Sequence, residues 1–404
     1  MKILMVHNRY RSTAPSGENR VVDQESEALT AAGHTVRHFE RHSDDIEDWT
    51  TLKKATLPAR VVWSRTSRQD LVRELFRHRP DVVHIHNTFP LLSPSVLYAC
   101  RLAAVPVVIT LHNYKLLCAS GDFFRDGDVC HDCAGGNPVP GVLHRCYRGS
   151  ALATATTVLN TRGHRRSWRD LVSAYVFISE SQRRLMSGMD FDPERTFVKH
   201  NMVPYDGPVV GDLAAPRRQV SYVGRLDAAK GAPLLMQGWD AYRASAGDDA
   251  LRLVIAGGGP MLDEVTAWAA ERPSVELRGL MSKAEVFELI GESRAVVLPS
   301  AWEETFGLVV VEAMAVGVPP LASGHGSFPD LISDGVDGAL FEPGDPASLG
   351  KLLLDVDADP ERYAELGRQA RSTYETHHQV DRNVEQLLEI YRFAVANPVT
   401  ITRR

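Results

Sequence analysis

The chain has 404 residues, of which 44% are hydrophobic and 24% are charged, and its formal net charge is −6. A single hydrophobic core stops growing at roughly 250–300 residues, so this length predicts two domains. The negative charge disfavours nucleic-acid binding. No apolar run approaches the roughly 18–20 residues of a membrane span, and the apolar start of the chain is too short for a signal peptide, so we expect a cytoplasmic protein.

Apolar runs alternate with helical patterns through the first half of the chain. The first run is residues 2–6, a turn-like stretch follows at 14–17, and a helical pattern then continues to Gly33. Later runs occupy residues 35–40, 81–86, 106–112 and 174–179. Continuous Val- and Ile-rich runs separated by helices are typical of a parallel sheet that is buried on both faces.

This rhythm stops at residues 203–219, which are rich in Pro, Gly and Asp and are predicted to be a linker. It restarts with runs at 219–224, 251–260, 274–279, 294–300, 318–323 and 337–342, and residues 360–396 have a helical pattern. Residues 1–205 contain 27 Lys and Arg against 21 Asp and Glu, whereas residues 206–404 contain 18 against 30. Such asymmetry fits two domains with different roles.

The patterns predict an α/β protein of two Rossmann-like βα-repeat domains that face a deep cleft. We place the first domain at residues 1–205, the second at 206–380, and a C-terminal helix that packs back on the first domain at 381–404. Open parallel sheets bind ligands at the carboxyl ends of their strands. We therefore expect the functional residues in the loops that line the cleft.

The most informative motif is PSAWEETFGLVVVEAMA at residues 299–315. It runs from a strand end through a Gly-containing loop into a helix, which places Glu304 in the loop and Glu312 in the helix. The backbone N–H groups of Phe306, Gly307 and Leu308 stand at the helix start, where they can donate to a sugar hydroxyl or a phosphate. The alternative is that Glu304 caps the helix and Glu312 is solvated.

A second motif, VGRLDAAKG, occupies residues 223–231. Gly224 follows a strand, and Arg225 and Lys230 are two cations five residues apart. Such a pair can clamp a diphosphate, Arg through its planar fork and Lys as a point charge, and can stabilise the charge of a departing nucleoside diphosphate. The alternative is two solvated surface cations.

On these residues, together with AGGGP at 256–260 and His112 at the end of VVITLH, the sequence resembles glycosyltransferase family 4, a retaining family with the GT-B fold. The resemblance covers nearly the whole chain. It implies that Arg225 and Lys230 hold the donor diphosphate and that Glu304 bonds hydroxyls of the donor sugar, aided by the backbone of Phe306 and Gly307.

The resemblance also assigns residues around this centre. Glu312 would bind the nucleotide ribose, His112 would lie beside the reacting sugar, and Arg278 and Gly279 would precede the segment next to the nucleobase. Gly17 would approach the donor phosphates or the acceptor. The family often has paired glycines in this first loop, whereas here the loop reads Pro-Ser-Gly-Glu with one Gly.

The implied reaction is transfer of a hexose or N-acetylhexosamine from a nucleoside diphosphate sugar, with a UDP-sugar favoured, to a hydroxyl of a glycan, lipid-linked or natural-product acceptor. The first domain has no convincing second carboxylate, which favours a front-face route with retention. No Asp-x-Asp element lies in a suitable loop, so we expect no metal in catalysis. The alternatives are a nucleotide-sugar 2-epimerase and a non-catalytic nucleotide-sugar sensor.

Four of the five cysteines cluster in a Gly- and Asp-rich insertion at about residues 116–148: Cys118, Cys130, Cys133 and Cys146. In a cytosolic protein such a cluster favours a structural zinc ion over disulfides, and it would staple a loop that has no helix or strand of its own. His131 and His144 are alternative ligands, and four unrelated thiols, two disulfides or an iron–sulfur cluster remain alternatives. Cys100 is expected in the core.

For two further features we favour a structural explanation over a functional one. The basic stretch TRGHRRSWRD at 161–170 could bring Trp168 to an anionic membrane surface, at the inner face of the membrane, but a solvated helix face is the simpler interpretation. His84 and His86 end a strand and could line the acceptor side, but we expect structural histidines.

Overall fold

The structure is a computed structural model, and it describes residues 1–12, 16–209, 218–247 and 250–399. The predicted linker therefore lies outside the described residues at 210–217, and the predicted turn at 14–17 lies outside them at 14 and 15. The chain forms two compact units. The first comprises residues 1–123, 130–202 and 380–404, and the second comprises residues 124–129 and 203–379.

The first 202 residues contain the strands of a parallel sheet and one short hairpin. The strands are β1 (Lys2–Arg9), β2 (Thr35–His42), β3 (Val82–Asn87), β4 (Val107–Leu111), β5 (Phe124–Arg125), β6 (Asp128–Val129), β7 (Ala174–Phe177) and β8 (Thr196–Val198). The sheet has the order β2-β1-β3-β4-β7-β8. Every pair in it is parallel, with β1 in register against both neighbours through Ile3↔Val36 and Ile3↔Val82.

Helices connect these strands, as the alternating pattern predicts. They are α1 (Gly17–Ala31), α2 (Thr51–Ala55), α3 (Leu57–Val62), α4 (Arg65–His78), α5 (Ser95–Leu102), α6 (Val139–Leu143), α7 (Ala151–Arg162), α8 (Arg165–Asp170) and α9 (Glu180–Leu185). α1 begins with Ser16 as its N-cap, whose hydroxyl accepts the N–H of Glu18.

The structure bears on three expectations for the first 202 residues. The insertion is not devoid of regular structure, because it contains the antiparallel β5–β6 hairpin and α6. Trp168 does not lie on a solvated face: it is 3% exposed and packs in the core of the first unit, so it cannot contact a membrane in this conformation. Cys100 is fully buried in that same core, as expected, and burial raises the pKa of its thiol to about 12.

The second unit repeats the arrangement. Its strands are β9 (Gln219–Val223), β10 (Arg252–Ala256), β11 (Val275–Gly279), β12 (Ala295–Leu298), β13 (Pro320–Ser323) and β14 (Ala339–Phe341), in the order β11-β10-β9-β12-β13-β14. All pairs are parallel. Its helices are α10 (Ala232–Ser245), α11 (Leu262–Ala270), α12 (Lys283–Gly291), α13 (Leu308–Val316), α14 (Phe328–Leu331), α15 (Pro346–Ala358) and α16 (Pro360–His377).

The last helix, α17 (Val380–Ala396), belongs to the first unit. Its apolar side chains, Val384, Leu387, Ile390, Tyr391 and Ala394, share one buried cluster with residues of β1, β3, β4 and β7. The helix thus covers one face of the first sheet. Among the described residues, no helix combines the length and apolar character needed to cross a membrane.

Candidate functional site

The order of the second sheet sets the position of its site. β9 lies between β10 and β12, so the chain leaves β9 toward one side and returns through β12 on the other. The carboxyl ends of two such strands form the topological switch point at which open α/β sheets bind ligands. Both motifs identified in the sequence lie here, VGRLDAAKG directly after β9 and the segment from Pro299 directly after β12.

The switch point brings Lys230 and Glu304 into direct contact. Lys230 Nζ lies 2.7 Å from Glu304 Oε2. The same carboxylate oxygen accepts from Trp302 Nε1 at 2.9 Å and from Ser300 Oγ at 3.2 Å. Lys230 Nζ also stands 4.9 Å from the centroid of the Trp302 ring. Glu304 is therefore a buried, oriented carboxylate, whereas the Lys230 side chain keeps a third of its surface exposed.

Two glycines shape these loops, and Gly231 allows them to approach each other this closely. Gly231 has φ +76°, and a Cβ there would stand 1.6 Å from the carbonyl oxygen of Pro299, so the backbone of one motif touches the other through a position that only glycine can occupy. Gly307 has φ +82° and is the N-cap residue of α13. α13 begins at Leu308, which confirms the predicted helix start after Phe306 and Gly307.

Glu312 lies within α13 and is 2% exposed, so the alternative of a solvated carboxylate is wrong. α13 is buried along nearly its whole length, with Val310 and Val311 fully inaccessible. Glu312 therefore lies in the interior of the second unit and not on an exposed face of α13.

The other predicted donor-binding residues occupy different surroundings. Arg225 lies at the strand end after Gly224, its side chain is 67% exposed, and its Nε is 3.0 Å from Asp227 Oδ2. Gly279 ends β11, and its carbonyl accepts the N–H of Gly257. The Arg278 side chain instead pairs with Glu276 at 2.9 Å and Glu292 at 3.5 Å. The structure therefore gathers Arg225, Lys230 and Glu304 at the switch point and engages Arg278 elsewhere.

In the first unit, His112 directly follows β4 and is half-buried. Its Nε2 lies 3.0 Å from Nδ1 of His86, and the two rings stack at 5.3 Å. Burial, followed by the charges of His7, His84 and Lys199, holds the pKa of His112 well below its usual range. Gly17 is the exposed first residue of α1 and lies next to the undescribed residues 13–15.

Sequence reasoning missed a buried carboxyl beside these residues. Glu18 Oε2 accepts from the Tyr10 hydroxyl at 3.1 Å and lies 3.5 Å from the amide of Asn113. Burial raises the pKa of Glu18 to about 8 and lowers the pKa of His7 to about 4. Near neutral pH both groups are therefore largely uncharged. The one signal for Glu18 in the sequence was its position directly after Gly17 in the first loop.

The other three cysteines of the insertion lie near Cys133 without forming a tight cluster. A Cβ built on Gly141 would lie 3.6 Å from Cys133 Sγ, and the Gly141 carbonyl accepts the N–H of Cys146. Burial and then the thiols of Cys118, Cys146 and Cys130 raise the pKa of Cys133. Within the described part of the chain, the one set of three candidate ligand atoms that lie within 4.8 Å of one another is Glu25, His84 and His86, so the four sulfurs do not form such a set.

Solved structures identify the class of fold. The Anabaena protein HepE, solved in complex with UDP-glucose, superimposes with a TM-score of 0.66 at 18% identity over 96% of this chain and 98% of that one. Sucrose-phosphate synthase from Thermosynechococcus elongatus gives a TM-score of 0.69 at 18% identity over 98% and 99%. Together with the two parallel six-stranded sheets, these similarities establish the GT-B fold of glycosyltransferases.

Family models and curated relatives agree with this class. Residues 16–202 match a glycosyl transferase 4-like domain, and residues 211–373 match glycosyl transferases group 1. The D-inositol 3-phosphate glycosyltransferase of Mycolicibacterium vanbaalenii is 31% identical over 53% of this chain and 51% of that protein. The Arabidopsis thaliana sulfoquinovosyl transferase is 24% identical over 76% and 55%. The chain belongs to glycosyltransferase family 4, and it spans about half the length of the curated relatives it matches.

Proposed function

We propose that the chain is a retaining glycosyltransferase that moves a hexose or N-acetylhexosamine from a nucleoside diphosphate sugar to a hydroxyl acceptor. A UDP-sugar is the favoured donor, and the acceptor is a glycan, a lipid-linked sugar or a natural product. The observation that carries this proposal is the contact between Lys230 and Glu304 at the switch point of the second sheet. In this contact the ammonium of Lys230, which can bind a phosphate, lies beside the carboxylate of Glu304, which can accept hydrogen bonds from sugar hydroxyls.

The donor fits these residues by its chemistry. A diphosphate needs cations that are accessible, and the Arg225 and Lys230 side chains both retain exposed surface at the switch point. A sugar ring offers hydroxyl donors, which the fixed Glu304 carboxylate can accept, and Glu312 is assigned to the ribose. The Anabaena protein of the same fold was solved with UDP-glucose, which supports a UDP-sugar as the first donor to test.

The proposed reaction proceeds on one face of the sugar. The bond between the anomeric carbon and the diphosphate oxygen breaks, the acceptor hydroxyl oxygen forms the new bond to that carbon, and the acceptor proton passes to the departing phosphate. Arg225 and Lys230 stabilise the negative charge that develops on the leaving group. His112 is uncharged at neutral pH because its pKa is lowered, so its role is to bond the reacting sugar rather than to supply a proton.

We propose that this chemistry needs no divalent metal ion. The Asp-x-Asp patterns in the chain occur at 126–128, in the β5–β6 hairpin, at 190–192, between α9 and β8, and at 355–359, at the C-terminal end of α15. None of them is part of the Lys230–Glu304 contact. Loss of activity in EDTA with recovery in manganese would contradict the proposal.

The experiment is release of nucleoside diphosphate from a panel of UDP-, GDP- and ADP-sugars, with and without simple sugar acceptors. We expect slow hydrolysis of one donor, faster turnover with an acceptor, and retention of the anomeric configuration in the product. A 2-epimerase would interconvert donors and form no glycoside, and a sensor would bind a donor without turnover. Either result would replace the transferase assignment.

A further inference from the structure

A row of buried side chains leads from His112 to helix α1. His112 Nε2 lies 3.0 Å from His86 Nδ1, and the opposite nitrogen of His86, Nε2, lies 3.6 Å from Oε2 of Glu25. His86 is 6% exposed and Glu25 is fully buried. Within the described residues, neither His86 Nε2 nor Glu25 Oε2 has a hydrogen-bonding partner, and the two atoms face each other across this gap.

The far end of the row is fixed by a buried ion pair. Glu25 Oε1 accepts from Lys199 Nζ at 2.8 Å, and the same ammonium donates to Asn383 Oδ1 at 2.8 Å and to the carbonyl of His200 at 3.2 Å. Three acceptors use the three protons of the ammonium. Lys199 thus supplies the positive charge beside Glu25, which is why we do not interpret Glu25, His84 and His86 as a metal site.

The pairing of Glu25 with Lys199 decides which ring nitrogens carry protons. Glu25 Oε2 lies 3.6 Å from His86 Nε2, which is longer than a hydrogen bond, but its negative charge favours the tautomer of His86 that carries the proton on this nitrogen over the one that points an electron pair at the carboxylate. In a neutral imidazole the other nitrogen is then an acceptor, and His86 Nδ1 can accept from His112 Nε2. Neutral His112 consequently bears its proton on Nε2 and an electron pair on Nδ1.

We propose that Glu25 and His86 are positioning residues that hold His112 as a neutral imidazole with its proton on Nε2, and so fix the protonation state in which this ring meets the donor sugar. The contact with the sugar rests on the proposed function, whereas the protonation state concerns the chain alone. His84 Nδ1 also lies 3.9 Å from Glu25 Oε2, but the two nitrogens of His84 have nearer partners, Thr110 Oγ1 and the Tyr391 hydroxyl, each at 2.8 Å.

The electrostatic surroundings support a neutral pair of rings. Burial, followed by the charges of His84, His112, His7 and Lys199, holds the pKa of His86 well below its usual range. The groups that face the two histidines come from every side of the row: His7 on β1, His84 on β3, Glu25 on α1, and Lys199 after β8. Glu25 is the carboxylate of the row, and its charge is offset by Lys199, whose ammonium lies 2.8 Å away.

The test reads the tautomer directly by nitrogen NMR of protein that carries ¹⁵N in its imidazole rings. The chain has 15 histidines, and the His112 signals are those lost in His112→Gln. We expect His112 to be neutral with its proton on Nε2 from pH 6 to 8. In His86→Leu the acceptor is gone, and a population with the proton on Nδ1 should appear. His86→Gln should restore the original state, because its amide oxygen can accept the same bond.

His164→Leu is the matched control, since it removes a histidine of the same unit whose ring stacks on Trp63 and not on a histidine of the row. It should leave the His112 tautomer unchanged. The proton of His112 on Nδ1 in the unmodified protein, or the same His112 spectrum in His86→Leu as in His164→Leu, would overturn the positioning role. If transfer can be measured, we expect His86→Leu to lower kcat at least 10-fold. Absence of any transfer by the unmodified protein would instead reject the proposed function and leave the NMR result decisive.

Discussion

The ammonium nitrogen of Lys230 lies 2.7 Å from a carboxylate oxygen of Glu304, across 74 residues of sequence. The two residues come from loops that follow neighbouring strands, and Trp302 and Ser300 bond the same oxygen. A glycine at position 231 permits the approach. The pair is thus a product of the sheet topology, and it is the part of the molecule from which the proposed chemistry follows.

Replacing either member of this pair should impair transfer far more than folding. We expect Lys230→Ala and Glu304→Gln each to lower kcat by roughly 10²–10³, the usual cost of removing one preorganised electrostatic partner. Arg252→Ala is the matched control, because Arg252 pairs with Glu276 at the amino end of β10. The measurement is steady-state turnover with the accepted donor. Equal activity of Lys230→Ala and Arg252→Ala would remove Lys230 from the site.

Gly231→Ala should destabilise the second unit. A Cβ would overlap the Pro299 carbonyl oxygen, and the backbone is in the left-handed region, which costs about 1–3 kcal/mol for a non-glycine residue before the overlap is counted. We expect a loss of at least about 2 kcal/mol in the free energy of unfolding. Gly247→Ala, where a Cβ meets nothing within 4 Å, should change it by about 0.5 kcal/mol or less. Similar unfolding midpoints for the two variants in urea would contradict this reading.

The buried Glu18 predicts a pH-dependent stability. Its pKa is raised by burial from 4.5 to about 8, so its contribution to stability is complete below pH 4.5 and is lost as pH rises toward 8. Each pH unit in that window costs up to about 1.4 kcal/mol. Glu18→Gln abolishes this dependence, so the variant should gain stability relative to the unmodified protein between pH 5 and 8. A stability difference that stays constant with pH in urea titrations would argue against a raised pKa.

The four cysteines of the insertion still predict one structural zinc ion per chain. The thiols of Cys118, Cys130 and Cys146 are near enough to raise the pKa of Cys133, whereas no three of the four sulfur atoms lie within 4.8 Å of one another, so zinc binding requires them to move closer together. We expect zinc in protein purified without added metal, and its loss together with a lower Tm in Cys133→Ser and after chelation. Cys100→Ala, which removes a core thiol outside the insertion, should retain the metal. Metal analysis that finds no zinc in freshly purified protein would reject the site.

Local patterns were sufficient for the alternating elements and for the two loops of the second unit. The Val- and Ile-rich runs form buried strands. The start of α13 after Gly307 depends on neighbouring residues in the sequence, because glycine adopts the left-handed backbone conformation that precedes the helix. The short strand β8, residues 196–198, has no comparable apolar run and was missed.

The row behind His112 could not be predicted in the same way. Glu25 and Lys199 are 174 residues apart, and Asn383 and Tyr391 reach the row only because α17 returns to the first sheet. Trp168 illustrates the same limit, since a basic stretch around an aromatic residue looks like a surface although the ring is in the core. Such contacts depend on tertiary packing, for which a single sequence carries no local signal.

The measurement that tests the central claim most directly is a thermal-shift screen of the purified protein against UDP, GDP, ADP and their common sugar conjugates. A ligand at 100 times its Kd should stabilise the folded chain by about 2.7 kcal/mol. We predict a clear rise in Tm with one nucleotide series, most simply the uridine series, which is lost in Arg225→Ala and Glu312→Ala and retained in Arg252→Ala. No shift with any nucleotide, or a shift that persists in both site variants, would contradict a donor site built from these residues.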